Sequence, residues 1–129
     1  MAIVALIASL VLPMAHGTGR PQLQALALET ATLFRTERVG AVLTGRVRGV
    51  AIDGERRLLI GDGGRRVRIP EDVTLDLLGV KEPWTGQRLV VRFEADGSSS
   101  GTVLRLVRGG AGYEIRVNWY TGGVTVVDG

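Results

Sequence analysis

The sequence contains no cysteine, one lysine (Lys81) and one histidine (His16). Without thiols there is no disulfide framework, no thiolate zinc site and no cysteine nucleophile. The same absence removes any need for oxidative folding outside the cytoplasm. His16 sits beside glycines just past an apolar run, where it reads as a solvated or interfacial residue. With no second imidazole, a histidine-based metal site lacks ligands. Aromatics are sparse: Phe34, Trp84, Phe93, Tyr113, Trp119 and Tyr120 are all of them, thin provision for stacking on nucleic-acid bases. There is no long block of one charge sign either. Fifteen arginines and the lysine are offset by 13 acidic residues to a net +3, so the chain is no polycation and carries no basic tail.

Long apolar runs are also missing. Residues 2–12 hold no charge and read as helix, but eleven helical residues rise about 17 Å against a hydrocarbon core of about 30 Å. A secretory signal would place a positive segment before such a run, and Met1 abuts it directly. Ala15-His16-Gly17 is a poor cleavage site. The run is therefore expected to be the second half of a longer membrane helix, the alternative being an N-terminal core helix.

What is present is one helical region followed by many short strands, in a length that suits a single domain with its own core. Pro13 and the Gly17-Thr18-Gly19 cluster interrupt the first segment, and Pro21 suits the opening turn of a second. Over 21–42, Leu23, Leu26, Ala27, Thr30, Leu33, Phe34 and Ala41 fall near one helical stripe. Gln22, Gln24, Glu29, Arg35 and Arg38 lie mostly off it. The stripe predicts an amphipathic helix covered by a sheet or another helix.

After Thr44-Gly45 the period becomes two. Short valine- and leucine-rich segments at 46–52, 57–60, 66–69, 73–77, 89–93, 102–108, 113–119 and 123–127 are bounded by turn sequences such as Asp53-Gly54, Asp96-Gly97 and Gly122-Gly123. The clearest alternation is YEIRVNW, which predicts that Tyr113, Ile115, Val117 and Trp119 point inward. On that reading Trp119→Ala would cost about 3–5 kcal/mol. The plan is α+β: a helical start, then about seven or eight antiparallel strands. It divides into 1–20, the truncated helix and its break, and 21–129, a globular head.

Groups that could carry chemistry are few. Ser98-Ser99-Ser100 reads as a polar hairpin loop without a base. Glu71 and Asp72 would diverge on a strand, and Glu94 with Asp96 falls short of the six to eight oxygens calcium takes. RGGAGY (108–113) precedes a strand rather than the helix a phosphate cradle needs. Arg56, Arg57, Arg65, Arg66 and Arg68 could grip an anion, but without aromatics among them they read as the solvated rim of two strands. No cofactor, metal or catalytic residue is expected. Val80–Gly86 around Trp84 reads equally as a partner loop or as a lid on the core.

An apolar helix ending at a proline, an amphipathic continuation and a small β-rich head resemble the type IV pilin and pseudopilin plan. AIVALIASLVLP (2–13) is similar to the middle of the pilin-type N-terminal helix. LETATLFRTERVGAVLTGR (28–46) is similar to the second helical segment entering the first strand. FEADGSSSGTVLRLVRGGAGYEIRVNWYTGGVTV (93–126) resembles the C-terminal end of the minor pseudopilin H family of type II secretion, with Phe93, Asp96, Gly97, Asn118, Trp119, Tyr120, Thr121 and Gly122 at its motif positions. The likeness is weak over 47–88. The family's basic leader, cleavage glycine and helix glutamate match no residue here, as expected if this sequence enters at the helix's middle.

The resemblance implies a single-pass subunit of the bacterial inner membrane with its head in the periplasm, and it carries the family's methylation with it. It also implies a helix-on-sandwich, pilin-like fold. Ile3, Val4, Leu6, Ile7, Leu10, Val11 and Leu12 would pack in a filament core, with Pro13 letting the helix bend during extraction. Partners would be other minor and major pseudopilins and the secretion inner-membrane platform. The task would be to prime or tip a pseudopilus that exports folded proteins, without catalysis. The rival reading is a minor type IV pilin aiding pilus assembly or DNA uptake. The acid-ended tail TGGVTVVDG (121–129) lacks the arginines of DNA-gripping members, though Arg105, Arg108 and Arg116 could form a patch.

Overall fold

A computed structural model describes residues 20–78, 80–81 and 87–128. Residues 2–13, His16 and Trp84, with the expectations attached to them, lie outside this set. The first element is helix α1, Arg20–Thr44. Pro21 sits in its first turn, where a missing N–H is harmless. At its end the Gly45 N–H returns to the Ala41 carbonyl at 2.9 Å. The expected stripe is buried, from Leu23 through Phe34 to Ala41, joined by Ala31 and by an unexpected charge, Glu37. The buried Thr30 hydroxyl donates back to the Leu26 carbonyl at 2.9 Å, which satisfies it inside the helix. Among the described residues no helix is long and apolar enough to cross a membrane.

Among the described residues nine strands follow in two antiparallel sheets. The first sheet has the order β3-β2-β1-β6, built from β1 (Arg48–Asp53), β2 (Leu58–Gly61), β3 (Arg66–Arg68) and β6 (Gln87–Phe93). The second has the order β5-β4-β7-β8-β9, built from β4 (Thr74–Leu77), β5 (Val80–Lys81), β7 (Thr102–Arg108), β8 (Ala111–Val117) and β9 (Val124–Asp128). One more strand is present than sequence periodicity indicates, because β5 is two residues long and carries no alternation to read. The pairing of β1 with β6 shifts between Val50 and Ala51, leaving Val90 as a bulge.

Both sheets and the helix contribute to one hydrophobic cluster. Val50, Ile52, Leu59, Val91 and Phe93 come from the first sheet; Leu75, Leu104, Leu106 and Ile115 come from the second. The helix packs against both sheets rather than one, touching β1 and β2 on one side and β7, β8 and β9 on the other. The α+β architecture expected from the sequence, a helix packed on two antiparallel sheets, is present.

Candidate functional site

The eight C-terminal motif positions converge on one clasp. Phe93 ends β6 inside the core, and the chain then turns. The Glu94 N–H donates to the Ser98 carbonyl at 2.8 Å and the Gly97 N–H to the Glu94 carbonyl at 2.9 Å. Asp96 accepts the Ser98 N–H at 2.9 Å and the Ser98 hydroxyl at 2.6 Å. These two bonds to Ser98, hydroxyl first, hold the Asp96 carboxyl below the ordinary carboxylate value. Ser98 therefore has a structural partner, as expected of a polar hairpin loop.

The second half of the clasp joins β8 to β9. Asn118 accepts the Tyr120 N–H at 2.8 Å and the Thr121 N–H at 3.0 Å through its side-chain oxygen. Its carbonyl takes the Gly122 N–H at 2.8 Å. Across the clasp the Ser99 N–H donates to the Trp119 carbonyl at 2.9 Å, and the Ser99 hydroxyl donates to the Asn118 carbonyl at 2.9 Å. Gly122 has φ +72, and a Cβ there would collide with the Gly97 carbonyl. Only glycine meets both demands at that position.

Arg38 fastens the clasp to the helix. Its Nε donates to the carbonyls of Gly97 at 3.0 Å and Thr121 at 3.1 Å, and its Nη2 donates to Thr121 at 2.8 Å. One guanidinium thus holds both turns. Sequence spacing placed Arg38 off the apolar stripe and gave no sign of this role, since its acceptors lie 59 and 83 residues away.

Trp119 overturns an expectation. Tyr113, Ile115 and Val117 point inward as the alternation predicts, but Trp119 is 68% exposed and Tyr120 72%. The cause is Asn118: by taking the next two free N–H groups onto its side chain it ends β8 at Val117, so the two-residue period stops before Trp119. The two rings meet edge to face with centroids 5.5 Å apart. The clasp therefore carries an outward aromatic pair on a hydrogen-bonded base.

The helix's other anchorage is ionic. Glu37, fully buried, pairs with Arg48 of β1 at 3.2 Å. It also accepts the Gly63 N–H at 3.2 and 3.3 Å. A Cβ at Gly61 would lie 2.5 Å from Glu37 Oε2, so glycine there makes room for the carboxylate. Glu37 was missed by the sequence reading; its place on the stripe between Phe34 and Ala41 is the signal that could have found it, although nothing local identifies its partner.

The outer side of α1 keeps apolar groups in solvent: Leu28, Val39, Val42 and Leu43 are exposed. A shallow groove of about 280 Å³ runs along Thr32, Arg35, Thr36 and Val39. Of the arginine rim, Arg66 and Arg68 are exposed on β3 as expected. Arg57 is not a rim residue: its guanidinium binds the carbonyls of Ile69, Pro70 and Val73 at 3.2, 2.9 and 2.8 Å. Among the described residues no group of three or more metal-ligating side chains gathers.

No family model matches the sequence, and no curated protein matches it. Two solved structures share the fold. The type IV minor pilin FimU of Pseudomonas aeruginosa aligns with TM-score 0.62 at 16% identity, covering 85% of this chain and 91% of that one. The minor pseudopilin EpsH of the Vibrio cholerae type 2 secretion system aligns with TM-score 0.62 at 17% identity, covering 82% and 96%.

Proposed function

We propose that this chain is a structural subunit of a pilus or pseudopilus, and more specifically a minor pseudopilin of type II secretion. The observation that carries the reading is the two-sided helix. One face of α1 is sealed into the core, while Leu28, Val39, Val42 and Leu43 remain exposed on the outside. In sequence the helix follows the uncharged run of residues 2–12. Apolar surface left on a helix already packed against both sheets is suited to a neighbouring helix. In this reading residues 3–12 and the outer stripe of α1 join a filament spine, Pro13 eases extraction from the inner membrane, and the head displays the clasp to adjoining subunits in the periplasm. The role needs no covalent chemistry.

The reading is tested by site-specific cross-linking in cells from Val39 and Val42 to a major pseudopilin of the same cell. Cross-links at these positions and none from the outer face of β7 at Val103 are expected; the reverse pattern would sink it.

A second reading, a minor type IV pilin, stands beside it because the alignment to FimU equals that to EpsH. The candidate DNA patch argues against its DNA-uptake form. Arg108 is paired with Asp72 at 3.0 Å, Arg116 with Glu114 at 2.7 Å, and Arg105 is engaged as well. Duplex-DNA binding that weakens steeply with salt would favour the pilus reading.

A further inference from the structure

The two sheets end in four edges, and three are closed to further pairing. Strand β3 is three residues long and begins and ends in exposed Arg66 and Arg68. Strand β5 has two residues. Strand β6 carries a bulge at Val90 and exposed arginines, and its outward backbone at Arg92 is already bonded. The Arg92 N–H donates to the Ser100 hydroxyl at 3.0 Å, and the Ser100 N–H donates to the Arg92 carbonyl at 2.9 Å. Short strands, charges and bulges are the usual means of blunting an edge.

Strand β9 has none of these. Val124–Asp128 runs for five residues without proline, bulge or internal charge. Its hydrogen-bond phase is fixed by the adjoining turn, where the Asn118 N–H donates to the Gly123 carbonyl at 2.9 Å. Antiparallel pairs alternate, so Thr125 and Val127 bond to β8 while Val124, Val126 and Asp128 turn their backbone groups outward. Arg35 corroborates the phase: its Nη2 donates to the Val124 carbonyl at 2.8 Å, from the direction of α1. Among the described residues the edge is therefore in phase and open at Val126, while Arg35 takes one acceptor position of the Val124 carbonyl and leaves the other for a paired strand.

We infer that β9 is a self-pairing edge, which joins a second copy of this chain in an antiparallel β9–β9 ladder centred on Val126. The register follows from the charges. With Val126 opposite itself, Val124 falls opposite Asp128 of the second copy. Val124, Val126 and Asp128 share the face turned toward α1, since Val124 is buried, Val126 packs on the core, and Asp128 pairs with the inward Tyr113. Arg35 reaches Val124 on that same face, so each Arg35 meets the Asp128 carboxylate of the other copy. Asp128 already has an interaction within its own chain, and a carboxylate has acceptor sites to share. On the opposite face Thr125 meets Val127, a favourable β-branched pair. The helices do not obstruct the ladder. With α1 over β8, two copies hold their axes about 14 Å apart, three strand spacings, beyond the 8–10 Å of helix contact. The inference is independent of the filament reading, because it concerns pairing between free copies.

The test uses the full chain in detergent micelles, which is naturally free of cysteine. Val126→Cys places two Cα atoms about 5.5 Å apart across a hydrogen-bonded pair, inside the span of about 4.4–6.8 Å that a disulfide bridges. Under mild oxidation it is expected to give a covalent dimer, with a yield about tenfold above that of Val103→Cys on the outer face of β7. Equal yields from the two, or no dimer from a Val126→Cys chain whose circular dichroism is unchanged, would overturn the proposal. Adding Asp128→Arg to Val126→Cys should cut the yield about tenfold by setting like charges opposite each other, and adding Arg35→Asp as well should restore it. A yield indifferent to the charge reversal, or not restored by the swap, overturns the register.

Discussion

Glu37 and Arg38 are consecutive residues that tie α1 to different parts of the head, Glu37 to the first sheet and Arg38 to the turns after β6 and β8, and the two ties differ in kind. Glu37 places a formal charge in a dry site, against Arg48 and the Gly63 N–H. Arg38 spreads one charge over neutral carbonyls of two surface turns. A buried ion is held only as long as its partner stays, so deleting one side leaves an uncompensated charge. A surface guanidinium can be removed and its carbonyl acceptors returned to water. The helix is thus secured on one side by an interaction that fails abruptly and on the other by several that fail gradually.

Mutations should reproduce that ranking. Glu37→Ala should be the most damaging, lowering unfolding free energy by about 3–5 kcal/mol in denaturant titrations. A loss under about 1 kcal/mol would mean that Arg48 finds water and the site is not dry. Gly122→Ala forces a side chain into the Gly97 carbonyl at positive φ and should cost about 2–3 kcal/mol. Its chief effect should be faster hydrogen exchange in the two turns, with the sheets unchanged. Arg38→Ala should cost about 1–2 kcal/mol, and a loss as large as that from Glu37→Ala would erase the contrast between the two ties.

Two smaller effects sharpen the picture of the clasp. Asp96 has its folded-state carboxyl lowered by Ser98. Its contribution is therefore fully present above the ordinary carboxylate range and is lost as pH falls through the lowered folded value. Asp96→Asn should flatten that acid limb of thermal stability and leave neutral behaviour alone. Trp119→Ala should change stability by less than about 0.5 kcal/mol, the scale of surface substitutions. A loss of several kcal/mol would return the indole to the core.

Local patterns carried the helix stripe and most strand interiors, because burial there repeats with the backbone's own period. Leu23 to Ala41 and Tyr113 to Val117 are examples. Patterns failed where a side chain replaced the backbone as hydrogen-bond partner. Asn118 ended β8 early and so misled the reading of Trp119. Phe93 to Gly97 and Asn118 to Gly122 are brought together by Ser99 and by Arg38, whose partners are distant in sequence and leave no local pattern to read. Glu37 was missed: its charge disguised a position on the buried stripe, and nothing local names its partner. Arg57 was misplaced for a similar reason: charge suggests solvent, and only the folded path of 69–73 offers it carbonyls.

A pull applied along α1 would reach both sheets within a single turn of the helix, through Glu37 on one side and Arg38 on the other. The load would be divided at its point of entry, so neither sheet would be peeled from the rod before its companion took strain. For a body hauled by its stalk, that arrangement turns tearing into shear, the mode in which many bonds must give way together.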